Sequence, residues 1–249
     1  MALAFETDEG AASRAALGLI VLQSDESVEA ELASAINLPG VALYHSRIPS
    51  APNVTPETLK QMEADLPHSA SLLPTARALD VVGYACTSGA TIIGPDRVAE
   101  LVNAHHPTAK VTNPLSAVIA ACGALRVSRL GFVTPYVPNV SNAMRDALSA
   151  SGISTTSLLS FEQEEEATVA RISEQSVLAA ITEAANDEAV EAVFVSCTNL
   201  RAFSVLEEAE SIIGKPVISS NLALAWHMLK LAGCPPSPSA PGRLMNSLR

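Results

Sequence analysis

Two cysteines carry the chemistry this sequence can perform. Cys86 ends the apolar run VVGYAC and is followed by Thr87 and Ser88; Cys197 ends AVFVSC and is followed by Thr198 and Asn199. A free thiol has a pKa near ~8.5, which a helix N-terminus or neighbouring donors bring toward neutrality. The thiolate is a base and a nucleophile, and the thiol is an acid. Placed on opposite faces of one carbon, the pair can take a proton or add from one side and give a proton from the other. The two forms exchange roles after each turnover, which is what racemisation or isomerisation beside a carboxylate requires. The hydroxyl and amide side chains after each cysteine, with the N–H groups of a turn into a helix, suit a carboxylate and its enediolate. The alternative is that both cysteines are small buried apolar residues, a common fate of free Cys.

Both cysteines close β-branched runs, and the chain alternates such runs with amphipathic segments. The pattern predicts strands over 17–22, 41–46, 80–86, 110–113, 129–134, 192–197 and 215–220. It predicts helices over 26–36, 56–78, 96–105, 115–125, 140–151, 174–187, 203–213 and 222–232. Strand–helix alternation of this kind builds parallel sheets. The alternation is also duplicated. LGLIVLQSDESVEAEL (17–32) matches LGFVTPYVPNVSNAMRDAL (130–148) at an offset of 113 positions, and the two Cys-Thr strand ends match at 111. KVTNPLSAVIAACGAL (110–125) resembles KPVISSNLALAWHMLKLAG (215–233), with Leu115 and Leu222 offset by 107. Three landmarks in constant order imply two homologous units.

The expected fold class is therefore α/β, with two pseudo-symmetric doubly wound lobes, each a parallel sheet flanked by helices. An N-terminal lobe would span 14–113, with 221–235 returning to it, and a C-terminal lobe 114–220; 1–13 and 236–249 read as flexible tails. Parallel sheets bind ligands beyond the carboxyl ends of their strands. Opposed lobes would thus bring Cys86 and Cys197 to one interlobe cleft from opposite sides.

Composition narrows the partners. Of 249 residues, 48% are apolar, 16% charged and 4% aromatic, which suits an aliphatic core between sheets and helices. A net charge of −11 argues against nucleic acid and anionic membranes. No apolar run approaches the roughly 20 residues that span a bilayer. The start, MALAFETDEG, lacks the basic region of a secretory signal, so a cytoplasmic protein is expected. Cys86, Cys122, Cys197 and Cys234 are widely spaced with no C-x-x-C pair, which predicts neither a zinc site nor a disulfide framework.

The motifs LIVLQSDESVE, VVGYACTSGA, GFVTPYV, FVSCTNL and PVISSNLALAWHML carry a family resemblance. Over about 14–235 the chain resembles the aspartate/glutamate racemase superfamily, in its maleate isomerase and arylmalonate decarboxylase branch, which includes maleate-isomerase-like proteins of ectoine utilisation. The resemblance implies a cofactor-independent enzyme, a homo-oligomer such as a homodimer, acting on a small carboxylate with Cys86 and Cys197 as the catalytic pair. It implies oxyanion binding by Thr87 and Ser88 and substrate binding by Tyr136. Two positions depart from the branch. The decarboxylases are expected to have glycine where this chain has Cys86, so thiols at both positions favour two-sided chemistry over one-sided protonation. Maleate isomerases are expected to have asparagine where this chain has Asp25. An ionised aspartate cannot donate to a carboxylate, and repels one by roughly 4 kcal/mol at ~4 Å and an effective dielectric of ~20. Asp25 thus points to a substrate with an amino or acylamino group, or else caps the helix after SDES, or does both. The alternative functions are a decarboxylase and a bilobal small-ligand binder without chemistry.

The remaining polar residues have plainer readings. Asn113 and Asn221 read as helix N-caps and Arg47 as half of a surface ion pair. His105 and His106 end a helix, His227 packs within one, and Cys122 and Cys234 are structural. The run FEQEEEA (161–167) reads as a solvated loop or helix start.

Overall fold

The computed structural model describes residues 2–248; Met1 and Arg249, the outermost ends of the two expected tails, lie outside the described residues. Strand β1 (Ala15–Leu22) is AALGLIVL with every residue buried, as a central parallel strand covered on both faces must be. It lies between β2 (Val41–Ile48) and β3 (Val81–Ala85), with β4 (Lys110–Thr112) beyond β3. Helices α1 (Val28–Ala35), α2 (Pro56–Ser71), α3 (Thr87–Ile93) and α4 (Pro95–Asn103) alternate with these strands, and α5 (Pro114–Leu125) leads out of them.

The second sheet repeats the plan. Its central strand β5 (Arg129–Thr134) lies between β6 (Ser154–Ser160) and β7 (Ala192–Val195), with β8 (Val217–Ser219) outside β7. The helices are α6 (Pro138–Ala150), α7 (Glu166–Val169), α8 (Glu174–Ala184), α9 (Leu206–Ile213), α10 (Ser220–Ala232) and α11 (Gly242–Asn246). Both sheets are parallel, with strand orders β2-β1-β3-β4 and β6-β5-β7-β8. The duplication extends to register. Gly18 pairs with Val82 in the first sheet and Gly131 with Val193 in the second, at the 113 and 111 offsets read from the sequence. Both glycines admit a close approach. A Cβ on Gly18 would lie 2.8 Å from Leu73, and one on Gly131 would lie 2.8 Å from the Ala184 carbonyl oxygen.

Helix α10 begins directly at the end of β8, where the Ser219 side chain accepts from Leu222 N. Nine of its residues, including Trp226, are buried, and it packs on α5 and across β3 of the first sheet. The end of the chain thereby covers the first sheet, which ties the strand ends of both halves together.

The structure corrects several boundaries. The helix expected over 56–78 stops at Ser71, because the residue before Pro74 is driven out of helical conformation. Strand β6 went unpredicted because STTSLLS is polar. It is an edge strand whose residues alternate between exposed and half-buried. The expected tail at 236–249 is docked rather than loose. Leu244 and Met245 of α11 are fully buried, Trp226 Nε1 donates to Ser247 Oγ at 2.9 Å, and Arg243 N donates to Glu210 at 3.0 Å. The proline-rich PPSPSAP masked a short apolar helix behind it. At the other end, residues 2–11 are exposed, Leu3 and Phe5 among them.

Gly131→Ala should destabilise the protein by about 1–3 kcal/mol, since backbone rather than a mobile side chain must give way. Gly123→Ala, within α5 with nothing inside 4 Å of the added carbon, should stabilise by about 0.5–1 kcal/mol. Urea denaturation of both variants measures the contrast.

Candidate active site

Each cysteine sits one or two residues past the end of a third strand. Cys86 follows β3 in extended conformation and is the N-cap of α3, with its Sγ accepting from Gly89 N at 3.2 Å and Ser88 Oγ 3.7 Å away. Gly89 is required here. A Cβ at that position would lie 2.9 Å from the thiol and 2.6 Å from Tyr84 Oη. Cys197 follows β7 with φ of 115°, a left-handed backbone that costs a non-glycine residue roughly 1–3 kcal/mol. Its N–H donates to Ser220 Oγ at 3.0 Å, and its Sγ accepts from Asn199 N at 3.3 Å and lies 2.9 Å from Tyr136 Oη. No helix starts after Cys197 until a short 3-10 turn at Phe203–Val205, so the two halves diverge at the thiols themselves.

The residues beside the two thiols bond to each other across the halves. Thr87 Oγ1 and Ser220 Oγ are 2.8 Å apart, and Ser220 also holds the Cys197 N–H. Thr198 Oγ1 donates to the Ala85 carbonyl at 3.3 Å. Asn199 reaches furthest. Its Oδ1 accepts from Glu26 N at 2.9 Å, its backbone oxygen from Ser27 Oγ at 2.9 Å, and its Nδ2 donates to Glu166 Oε2 at 2.8 Å. Cys86, Cys197, Asp25, Thr87, Ser88, Tyr136, Thr198 and Asn199 are all buried, and the two cysteines are each only 2% exposed.

The seam between the lobes at this site is closed by backbone pairing. The loop before α2 and the segment entering α7 pair across the halves. Asn53 and Glu165 form an antiparallel bridge, Val54 N donates to Glu164 O at 2.9 Å, and Glu166 N donates to Pro52 O at 3.0 Å. A small cavity lined by Leu22, Val54, Met62 and Glu166 lies at this seam.

Two carboxylates share the site. Asp25 Oδ1 accepts from Ser27 N and Val28 N, both at 2.8 Å, so it caps the start of α1. Its Oδ2 is buried with no hydrogen-bond partner. The capping contact read for Asp25 is thus made by one oxygen, and the other faces the neighbourhood of the Thr198 hydroxyl, which opposes the rise in its pKa. Glu166 was missed. It belongs to the run read as solvated, and Glu162, Glu164 and Glu165 are indeed exposed, but Glu166 is 4% exposed. Tyr136 Oη donates to its Oε1 at 3.2 Å. The only signal in the sequence was that Glu166 shares a helix face with apolar Val169, three positions on.

Burial dominates the electrostatics. It pushes the Cys86 thiol up to about 12, against the opposing Gly89 N–H and Ser88 hydroxyl. It pushes the Cys197 thiol well above the usual range, and the Glu166 charge adds to this. Asp25 and Glu166 are both raised, first by burial, and the Asp25 charge raises Glu166 further. The Arg47 charge opposes the rise at Asp25, though less than the helix-start N–H groups do, from a side chain that is 41% exposed and pairs with Glu29, as the surface ion pair read for it requires.

Other positions divide. Asn113 caps α5 by accepting from Ser116 N at 3.0 Å. Asn221 is not a cap, because Ser219 takes that role; its Nδ2 donates to Thr198 O and Glu31 Oε2, both at 2.7 Å, and its Oδ1 is unpartnered. The helix before His105 and His106 ends at Asn103, and His106 bonds the Ala70 carbonyl at 2.9 Å. His227 lies 2.8 Å from Thr112 Oγ1, and burial lowers its pKa to about 4. Cys122 and Cys234 are buried. Among the described residues, no group of three or more His, Cys, Asp or Glu could hold a metal ion, and no helix is long and apolar enough to cross a membrane.

Known proteins share this fold. The chain is similar to the maleate isomerase of Nocardia farcinica, 27% identical over 92% of this chain and 94% of the relative. It is similar to that of Geobacillus stearothermophilus, 24% identical over 86% of this chain and 90% of the relative. Among solved structures, a cysteine-to-serine mutant of the Nocardia farcinica maleate cis-trans isomerase, with a covalently bound succinylcysteine intermediate, superposes with a TM-score of 0.84 at 26% identity, covering 93% of this chain and 98% of that one. The maleate isomerase of Pseudomonas putida S16 shares the fold, with a TM-score of 0.84 at 23% identity over 94% of this chain and 99% of that one. The family model for arylmalonate decarboxylase matches residues 18–245. With a match that spans both sheets and both strand-end cysteines, the chain belongs to the arylmalonate decarboxylase family.

Proposed function

We propose that this protein is a cofactor-independent isomerase or racemase of a small carboxylate, working with Cys86 and Cys197 from opposite faces of the reacting carbon. The observation that carries this reading is that both thiols end equivalent strands of the duplicated sheets, and that their neighbours Thr87, Ser220, Thr198 and Ala85 form one hydrogen-bonded layer. A thiol adding to a cis-butenedioate makes one C–S and one C–H bond, which gives a succinyl thioether. The succinylcysteine of the Nocardia farcinica enzyme is that species. One thiol supplying sulfur and the other the proton satisfies this balance, and elimination after rotation about the new single bond reverses it. Proton exchange at a carbon beside a carboxylate uses the same pair without the C–S bond. Thr87, Ser88 and the first N–H groups of α3 are assigned to the substrate carboxylate, with Tyr136, Thr198 and Asn199 facing it from the other half. A thiol at both positions favours this reading over one-sided protonation after decarboxylation.

The substrate is read from Asp25. Its unpartnered buried oxygen and the neighbouring Glu166 disfavour a second carboxylate, and suit an amino or acylamino group close to the reacting carbon. Maleate should therefore be a poor substrate here, although it is the namesake substrate of the relatives.

Cys86→Ala and Cys197→Ala should each abolish racemisation or isomerisation, and the double variant should lose at least ~10²–10⁴-fold. A ¹H NMR screen of carboxylates in D₂O, following loss of the signal next to the carboxylate, measures this. A double variant with most of its activity intact rules the two-thiol reading out. Asp25→Asn should shift preference toward dicarboxylates while leaving α1 capped, since Asn caps about as well as Asp. Efficient maleate turnover by the unaltered protein would show that Asp25 does not set the substrate class.

A further inference from the structure

Two sealed thiols with raised pKa values pose a problem that the two-cysteine reading leaves open. The thiolate is the reactive form, and burial disfavours it at two cysteines that are each only 2% exposed. A base inside the protein that takes the proton offsets that cost.

We infer that Glu166 is that base for Cys197 and acts through the hydroxyl of Tyr136, so that the two thiols are not equivalent and Cys197 is the one the protein itself deprotonates. The inference rests on the reading of Cys197 as an acid–base group, and adds Glu166 to it as a positioning residue. The hydrogen-bond inventory gives the wire its direction. Tyr136 has one hydroxyl proton, and it donates that proton to Glu166 Oε1 at 3.2 Å. An ionised carboxylate can only accept. The phenol oxygen is then left as an acceptor for the Cys197 S–H, 2.9 Å away. The second carboxylate oxygen, Oε2, accepts from Asn199 Nδ2 at 2.8 Å, so both oxygens of Glu166 are furnished for the ionised state. In the transfer, the Cys197 S–H bond breaks, its proton passes to the Tyr136 oxygen, and the Tyr136 proton passes to Glu166 Oε1. Tyr136 is regenerated, and one proton has moved from sulfur to carboxylate. Asn199 N, 3.3 Å from the sulfur, remains to stabilise the thiolate. Burial raises Glu166, which narrows its gap to the thiol. The other titratable groups whose charges act at this place are Asp25 and Cys86. Cys86 has no such wire. Its polar neighbours are Gly89 N, Ser88 Oγ and the Tyr84 hydroxyl, and Tyr84 leads on to the Met62 sulfur at 3.6 Å rather than to a carboxylate.

The test reads thiolate supply directly and needs no substrate. Alkylation of each cysteine by iodoacetamide is followed by peptide-resolved mass spectrometry from about pH 5.5 to 9.5, in the range where rate is proportional to reagent. A thiol that ionises alone gains about tenfold in rate per pH unit below its pKa. With Glu166 as internal base, the Cys197 rate should be flat through neutral pH, once Glu166 has ionised, while Cys86 climbs about tenfold per unit. Glu166→Gln and Tyr136→Phe cut the wire at its end and its middle, and each should convert the Cys197 plateau into a tenfold-per-unit slope, while Cys86 keeps its tenfold-per-unit slope. Glu166→Asp should keep a plateau at a different height. A tenfold-per-unit slope for Cys197 in the unaltered protein, or a plateau that survives Glu166→Gln, overturns the inference. A plateau in a protein that turns over no carboxylate sinks the proposed function instead and leaves the relay standing.

Discussion

The carboxamide of Asn199 is the joint on which the rest of the site depends. It follows Cys197 by two residues, and it ties Glu26 of the first half to Glu166 of the second, while the Asn199 backbone carbonyl holds the Ser27 hydroxyl. An amide donates and accepts at once, so it can link a helix start, which offers N–H groups, to a carboxylate, which offers only oxygens. Neither a carboxylate nor an ammonium could satisfy both sides. Buried polar groups without partners cost about 1–3 kcal/mol each, and this joint satisfies several of them. It also fixes where the sulfur of Cys197 lies relative to Tyr136.

Duplication explains why two thiols follow equivalent strands, and its breakdown explains why they differ. The sheets share strand order and register down to the paired glycines Gly18 and Gly131. Any residue just past the third strand of one sheet therefore has a counterpart in the other. Beyond the strand ends the symmetry lapses. Cys86 opens a helix and draws its sulfur contact from Gly89 N, whereas Cys197 sits in a left-handed backbone beside a phenol and a carboxylate. One thiol is surrounded by donors that favour a thiolate once formed. The other is connected to a group that can take its proton.

The closed, acid-rich interior is the second consequence of this packing. Asp25 and Glu166 approach the thiols from different halves, and burial raises both, so each favours its neutral form more than a surface acid does. An enzyme for a dianion would be expected to bury a cation here. The nearby Arg47 instead spends its guanidinium on the carbonyls of Leu22, Gln23 and Asp25 and on Glu29 at the surface. Specificity on this view is set by what the pocket repels as much as by what it holds.

The sequence by itself determined the α/β class, the duplication, the two strand-end cysteines and the polar residues after them. These follow from local periodicity and from spacing, which survive in one dimension. It also placed the Asp25 carboxylate against the N–H groups at the start of α1, because that contact can be read from the local turn. What only the tertiary structure decided depends on contacts between distant segments. Glu166 lies 31 positions before Cys197 in an acidic run that looks solvated, and only the pairing of Asn53 with Glu165 turns it inward. Asn221 read as a cap until Ser219 was seen to hold that place and Thr198 to claim its amide. The tail after PPSPSAP docks because Trp226 and Glu210, on two separate helices, offer it partners. The seam over the site is closed for the same reason. Whether two loops close over a site is settled by the hydrogen bonds they find in each other, and neither loop's own residues announce them.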